Sequence, residues 1–258
     1  MDLGLENRRA VVIGGGTGLG RAIAAALAAE GADVHIAGRN ADALERAADE
    51  IGESAGKRPA PIAFDLARPA EIESLISEVG NADILINNCG GPPAGPVVAV
   101  TDQAWLANFE TMFLGAVRLT RGFLPGMRER GWGRILTIVS SGVIQPIPNL
   151  GISNALRLAL VGWSKTLAGE VAADGVTVNC IAPGRIHTDR IDELDAGAAE
   201  RQGKSIEQVR AASLNTIPAA RYGHVEEFAA AAVFLVSARA SYLTGSVHRV
   251  DGGFIRSI

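Results

Sequence analysis

Cysteine is scarce in this 258-residue chain, which has only Cys89 and Cys180. Both fall in or just beyond apolar runs that read as buried strands, which excludes a disulfide framework and suits reduced thiols in a cytoplasmic protein. Long hydrophobic runs are also missing. The apolar run that starts at Ala10 breaks into glycines at Gly14, far short of the roughly twenty residues that span a bilayer, and the stretch before it is short and polar. Neither a signal peptide nor a membrane span is expected. Charge of one sign does not accumulate either: 28 Asp+Glu against 24 Lys+Arg leave a net charge of −4 with no acidic or basic block. That argues against a nucleic-acid partner. No metal site is expected.

What the chain does have is alternation. Short β-rich runs exchange with longer alanine- and leucine-rich stretches, the pattern of a parallel sheet covered on both faces. Strands are predicted at residues 10–13, 33–37, 61–65, 84–87, 134–140, 176–181 and 247–250, with helical sequence in every gap. These make seven parallel strands in a single α/β domain over residues 1–258, a length that suits one large core. The longest helices are predicted over 102–130 and 150–173. Their small residues, Gly115, Ala116, Ala155, Ala159, Gly162 and Ala168, would allow close helix contacts and point to self-association as a dimer or tetramer. Residues 189–222 lose strand character and mix charges with Ile191, Leu194, Ile206, Val209 and Leu214, which suits an amphipathic substrate lid.

The segment Gly14, Thr17, Gly18, Leu19, Gly20 follows the first strand and opens a helix. Its GxxxGxG spacing puts bare backbone where a pyrophosphate approaches the positive helix N-terminus. The second strand ends in Ala37, Gly38, Arg39 and Asn40. With no carboxylate there for a ribose 2′-hydroxyl, and with Arg39 able to fork onto a 2′-phosphate, NADP(H) is preferred over NAD(H). Asp65, followed by Leu66, either accepts from an adenine amino group or caps its own turn; both remain open. Asn87, Asn88, Cys89 and Gly90 end the fourth strand, where amides and a glycine would hold the strand edge against the cofactor ribose, and Gly91 to Gly95 form a stiff loop.

Taken together, Gly14…Gly18-x-Gly20, Asp65, Asn87-Asn88-Cys89-Gly90, Asn179, Pro183-Gly184…Thr188 and Asp251-Gly252-Gly253 resemble the classical short-chain dehydrogenase/reductase family over nearly the whole chain. Thr177-Val178-Asn179 and Arg221-Tyr222-Gly223 echo its 3-oxoacyl-acyl-carrier-protein reductases. The resemblance implies a Rossmann-type, doubly wound fold, NAD(P)(H) binding, a small-molecule substrate and commonly a tetramer. It also implies that Pro183, Gly184, Ile186 and Thr188 lie beside the nicotinamide.

The family works through Asn, Ser, Tyr and Lys, and here the resemblance exposes a departure. Ser140 matches the serine that hydrogen-bonds the substrate oxygen. The family spacing, fixed independently by Gly162-Trp163-Ser164-Lys165-Thr166-Leu167-Ala168, puts Ser153 at the tyrosine position and Arg157 at the lysine position, with Met112 at the asparagine position. An aliphatic hydroxyl is a far weaker acid than a phenol of pKa about 10, and a guanidinium above 12 shuttles no protons. The two tyrosines, Tyr222 and Tyr242, fall where the family pattern gives packing roles, which leaves His187 as the best substitute acid or base. Two functions stay open. One is an NADP(H)-dependent oxidoreductase acting on a carbonyl or related unsaturated group with Ser140, Ser153 and Arg157 in an atypical relay. The other is an NADP-binding sensor, scaffold or inactive oligomer partner.

Overall fold

The computed structural model describes residues 1–257. Seven strands form one parallel sheet in the order β3-β2-β1-β4-β5-β6-β7. They are β1 (Arg9–Ile13), β2 (Asp33–Gly38), β3 (Ala60–Ala63), β4 (Ile84–Asn87), β5 (Gly133–Ile138), β6 (Val176–Pro183) and β7 (Val247–Val250). The fold is the single-domain, doubly wound Rossmann-type α/β arrangement expected. Central strands β4 and β5 are buried at every residue, as strands covered on both faces must be.

Residue alternation divides the core. Ala10 and Val12 of β1 face one layer, α1 (Gly18–Ala29), α2 (Ala41–Ala55) and α9 (Val225–Leu235), whereas Val11 and Ile13 face α3 (Pro69–Val79), α5 (Gly115–Glu129) and α6 (Gly151–Val171). Outside these layers lie α4 (Asp102–Asn108), α7 (Asp189–Gln202) and α8 (Ile206–Leu214). Among the described residues no helix is long and apolar enough to cross a membrane.

Several boundaries differ from the sequence expectation, each for a local reason. The stretch 102–130 is not one α-helix: a π-helical segment, Phe109–Leu114, separates α4 from α5 and buries Met112. The third strand stops at Ala63, the last residue paired with β2, so Asp65 lies in the following turn. The fifth stops at Ile138. Ser140 instead caps a short 3-10 turn, Ser141–Val143, its Oγ accepting from Gly142 N at 3.0 Å. The sixth runs on to Pro183, which pairs with Val250 at the end of the β6–β7 ladder.

The proposed small-residue helix face is also partly internal. A Cβ at Gly115 would fall 2.6 Å from Leu66 Cγ, and Ala116 and Ala168 are buried within the protomer. Only Ala155, Ala159 and Gly162 remain exposed.

Candidate active site

The chain passes from β1 to β2 and β3 on one side of the sheet, then returns to β4 on the other. Helices leaving β1 and β4 therefore go to opposite faces and leave a crevice at the strand C-termini. A cleft of about 1250 Å³ occupies it. Gly14, Thr17, Gly18 and Leu19 line the cleft, with Gly14 and Gly18 at φ of +66° and +52°, where a side chain would be strained. Gly20 does not line it. Its role is close packing, since a Cβ there would sit 2.1 Å from the Gly14 carbonyl oxygen.

The start of α1 is left open. Thr17 is extended and makes no side-chain cap bond, and the first turn holds no acid. Three other helices are capped by a side chain: Asn40 Oδ1 accepts from Ala43 N at 3.0 Å at the head of α2, and Thr101 and Ser205 cap α4 and α8, whereas α3, α6 and α7 begin without such a bond. The free N–H groups and the positive end of α1 thus face the cleft, and no Cβ at Gly18 or Gly14 covers them.

At the tip of β2, Arg39 is exposed, lines the cleft and makes no ion pair or side-chain hydrogen bond among the described residues. Asp42 also lines this end, in the first turn of α2, where it complements that helix's dipole. Asp65 and Leu66 form the neighbouring wall. One Asp65 oxygen, Oδ1, is taken by Ala67 N at 3.0 Å, so the residue caps its own turn while Oδ2 stays available. Asn88 and Gly90 line the next stretch, Asn88 Nδ2 pressing against Gly14 where a Cβ would lie 2.7 Å away. Asn87 points elsewhere: it is buried and donates to Thr120 Oγ1 at 3.2 Å, behind the sheet ends rather than toward the cleft.

Ser140, Ser153, Arg157 and Met112 all line the same cleft. Ser153 and Arg157, one helical turn apart on α6, are each 7% exposed. The Arg157 guanidinium donates from Nε to Ser153 Oγ (3.2 Å), from Nη1 to the Ile138 carbonyl (2.7 Å) and from Nη2 to the Cys89 carbonyl (3.2 Å). It thereby ties α6 to the ends of β5 and β4. No carboxylate pairs with it among the described residues. Asn154 fixes the facing loop, exchanging two hydrogen bonds with the backbone of Ile147.

Pro183, Gly184, Ile186 and Thr188 complete the wall after β6. Gly184 is needed for packing, because a Cβ would fall 2.6 Å from Asp251 Cα. Thr188 approaches the glycine loop, 3.6 Å from a Cβ placed on Gly18. His187 does not join them. Its side chain is 64% exposed, 3.9 Å from Asp192, and is not part of the cleft wall. Ile186 and Thr188 turn toward the cleft, whereas His187 between them turns out to solvent. Asn179 is likewise structural, bonding Leu243 O and Ser246 N.

Residues 189–222 fold as α7 and α8, and Arg190, Ile191 and Leu194 of α7 border the cleft. Sequence reasoning missed two ties here. Arg190 Nη2 donates to Pro92 O at 2.7 Å, bridging the cleft mouth, and fully buried Asp195 accepts from Arg185 and from Tyr222 OH at 2.9 Å. The mixed charges of the segment were the available signal, but they do not say which partners they find: Pro92 lies 98 residues from Arg190, and Tyr222 27 from Asp195. No group of three His, Cys, Asp or Glu is placed to hold a metal among the described residues.

Crevice, glycine turn and open helix end together define a Rossmann-type nucleotide-binding protein. Comparison with known proteins narrows this: the chain belongs to the short-chain dehydrogenase/reductase family of oxidoreductases, residues 14–255 matching the family profile described as enoyl-(acyl carrier protein) reductase. It is 35% identical over 257 residues to the 3-oxoacyl-[acyl-carrier-protein] reductase FabG of Escherichia coli (strain K12), covering 97% of this chain and 98% of that one. It is 34% identical to an uncharacterized oxidoreductase, YvrD, of Bacillus subtilis (strain 168), over all of both chains. Among solved structures, L-sorbose reductase from Gluconobacter frateurii, complexed with NADPH and L-sorbose, superposes with a TM-score of 0.94 at 36% identity over the full length of both chains. A putative NAD(P)-dependent gluconate 5-dehydrogenase from Beutenbergia cavernae with bound NADP gives 0.91 at 35%, again over the full length of both chains.

Proposed function

We propose that this protein is an NADP(H)-dependent oxidoreductase acting on the carbonyl or conjugated unsaturated group of a small molecule, with a proton relay unlike that of its relatives. The observation that carries the reading is Arg39, unpaired at the tip of β2 and beside the uncapped head of α1. The residues fit the cofactor. Gly14, Thr17, Gly18 and Leu19 would take the pyrophosphate, Arg39 the 2′-phosphate, Asp65 and Leu66 the adenine, and Asn88 and Gly90 the ribose. Pro183, Gly184, Ile186 and Thr188 would flank the nicotinamide. Bound there, the group supplies a hydride.

The chain's own part is orientation and polarisation. Ser140 and Ser153 offer hydroxyls to the substrate oxygen, and Arg157 holds Ser153 and the two strand ends in place. Of its five N–H groups three are engaged, which leaves donors for a ribose hydroxyl. The α7–α8 segment acts as the substrate lid, Arg190 closing it against Pro92. Leu106 and Leu158, 69% and 53% exposed on α4 and α6, support self-association as a dimer or tetramer, and two unpaired thiols suit a cytoplasmic setting.

A second reading, an NADP-binding protein without turnover, is favoured by one observation: Met112, buried in the π-helical segment, offers no polar group to a water path. Nucleotide titration alongside turnover assays separates the two, because both require binding and only the first requires a reduced product.

A further inference from the structure

We infer that the small cavity between the sheet and helices α5 and α6, behind the Met112 and Cys89 wall of the cleft, is a binding site for one water molecule held by Asn87 and Thr137. Through that water the ends of β4 and β5 keep the spacing at which Cys89 and Ile138 present their carbonyls to Arg157. Nothing in this site depends on which nucleotide the cleft takes.

Strand register brings the two residues together. Asn87 and Thr137 are partners in the β4–β5 ladder, so their side chains stand next to each other on one face of the sheet. That face is the α5 and α6 side: Leu85 and Ile135, each two residues earlier on the same strand, pack in the core layer that holds Leu119 and Phe123 of α5. Two polar side chains in such a layer call for partners.

Both are buried, and neither is satisfied. Asn87 is 4% exposed and Thr137 1%. The Asn87 amide spends Nδ2 on Thr120 Oγ1 at 3.2 Å, which leaves Oδ1 with no donor, and Thr137 Oγ1 has no partner among the described residues. Exchanging the two ends of the amide does not help. Thr120 can donate as well as accept, so one polar atom of Asn87 is left over either way.

Room for a partner lies against both. A cavity of about 10 Å³ is lined by Asn87 and Thr137, with Leu119, Leu160, Met112 and Cys89 among its other walls. Measured as space for a water-sized sphere, that is about the least that holds one molecule, and too little for two. A water there donates to Asn87 Oδ1 and shares a hydrogen bond with the Thr137 hydroxyl, the minimum of two polar partners for a buried water. His35, Ser164, Arg210 and His248 also keep a buried side-chain atom without a hydrogen bond, but none of them lines this cavity. Ser140, Ser153 and Arg157 do not line it either, so the site is separate from the hydroxyls offered to the substrate.

Position gives the water its task. Thr137 is followed by Ile138, whose carbonyl accepts from Arg157 Nη1 at 2.7 Å, and Asn87 lies two residues before Cys89, whose carbonyl accepts from Nη2 at 3.2 Å. The β4–β5 register ends on the β4 side at the Asn87 and Thr137 pair. The water therefore ties the strands at this last rung, and Arg157 ties them immediately beyond it. A bridging water is nearly as good a link as a direct hydrogen bond. Without it a buried amide oxygen faces an apolar wall, and the strand ends are held by Arg157 alone.

Thr137→Val tests the site by the sign of its effect. An idle buried hydroxyl is a cost, so a methyl of the same shape in its place should raise the urea midpoint. A hydroxyl that holds a water should lower the midpoint when removed, because Asn87 Oδ1 then loses its donor too. The expected result is the lower midpoint. A crystal structure of the wild-type protein should show one ordered water bonded to Asn87 Oδ1 and Thr137 Oγ1, retained in Thr137→Ser and lost in Thr137→Val. For Arg157 the readout is its side-chain Nε–H signal in a nitrogen-15 NMR spectrum. In Thr137→Val its exchange with solvent should quicken about tenfold or more, while that of Arg134, bonded to Ser237 O at the start of β5, stays as it was. General loosening of the fold would move both signals. A raised midpoint, a wild-type cavity without water, or a direct hydrogen bond between Thr137 and Asn87 overturns the site. An Arg157 signal unmoved by Thr137→Val overturns the positioning role. Should Thr137→Val fail to fold, the wild-type and Thr137→Ser crystal structures still decide whether the water is there.

Discussion

Arg157 Nη1 reaches the Ile138 carbonyl at 2.7 Å, joining the middle of the cleft to the end of β5 through a side chain buried from solvent. With its bonds to Cys89 O and Ser153 Oγ, it makes one residue both a wall of the site and a brace between α6, β4 and β5. Arg157→Met should therefore leave two carbonyls unsatisfied and cost about 3 kcal/mol of stability. Urea denaturation measures this, and a midpoint unchanged from the parent chain would show that the brace carries no weight.

The parts of the site set by backbone geometry were legible in the sequence, and the parts set by long-range side-chain ties were not. Gly14, Gly18 and Gly20 announce themselves because their conformations and close approaches exclude other residues, and Arg39 because it ends a strand beside them. Nothing local in α6 foretells that Arg157 will bond Cys89 and Ile138, and nothing local in α7 that Arg190 will find Pro92. The π-helical segment at Phe109–Leu114 was hidden for a related reason: its composition is that of an ordinary helix. His187 and Asn87 each stand beside a cleft residue, Thr188 and Asn88, but face elsewhere themselves, and a side chain's direction at one position of a loop or strand end is not written in local sequence.

Arg39→Asp should weaken NADPH binding by about tenfold or more, the worth of a charge-assisted contact to the 2′-phosphate, while NADH binding changes little. Fluorescence titration of both dinucleotides checks it. Equal losses for the two would remove Arg39 from the 2′-phosphate.

The two cysteines should differ sharply in reactivity. Cys180 is 2% exposed, and burial pushes its thiol up to about 11. It should resist alkylation in the folded protein, whereas Cys89, on the cleft wall, should react and be protected by NADPH. Mass-spectrometric peptide mapping after brief iodoacetamide treatment reads both sites. Modification of Cys180 first, or Cys89 reactivity indifferent to NADPH, would contradict the placement.

The Arg221–Glu227 pair should give an acid-side signature. Paired hydrogen bonds from Arg221, with a further bond from His224 N at 2.7 Å, hold the Glu227 carboxyl down to about 2. A carboxylate depressed in the folded state stabilises it above the ordinary value of 4.5, and that contribution is lost as pH falls through about 2. Glu227→Gln should therefore flatten the dependence of stability on pH in that window and leave the slope near neutrality alone. Because the pair is exposed, the effect will be small, and denaturant midpoints at matched ionic strength are the measure.

The most direct measurement is NADPH oxidation by the wild-type protein across ketones, conjugated enones, imines and, in reverse, alcohols with NADP⁺, with reduced or oxidised product quantified beside nucleotide binding. The account predicts saturable NADPH binding together with stoichiometric product formation in at least one of these classes. Tight NADPH binding without product in any class would contradict it and leave a nucleotide-binding protein that does no redox chemistry.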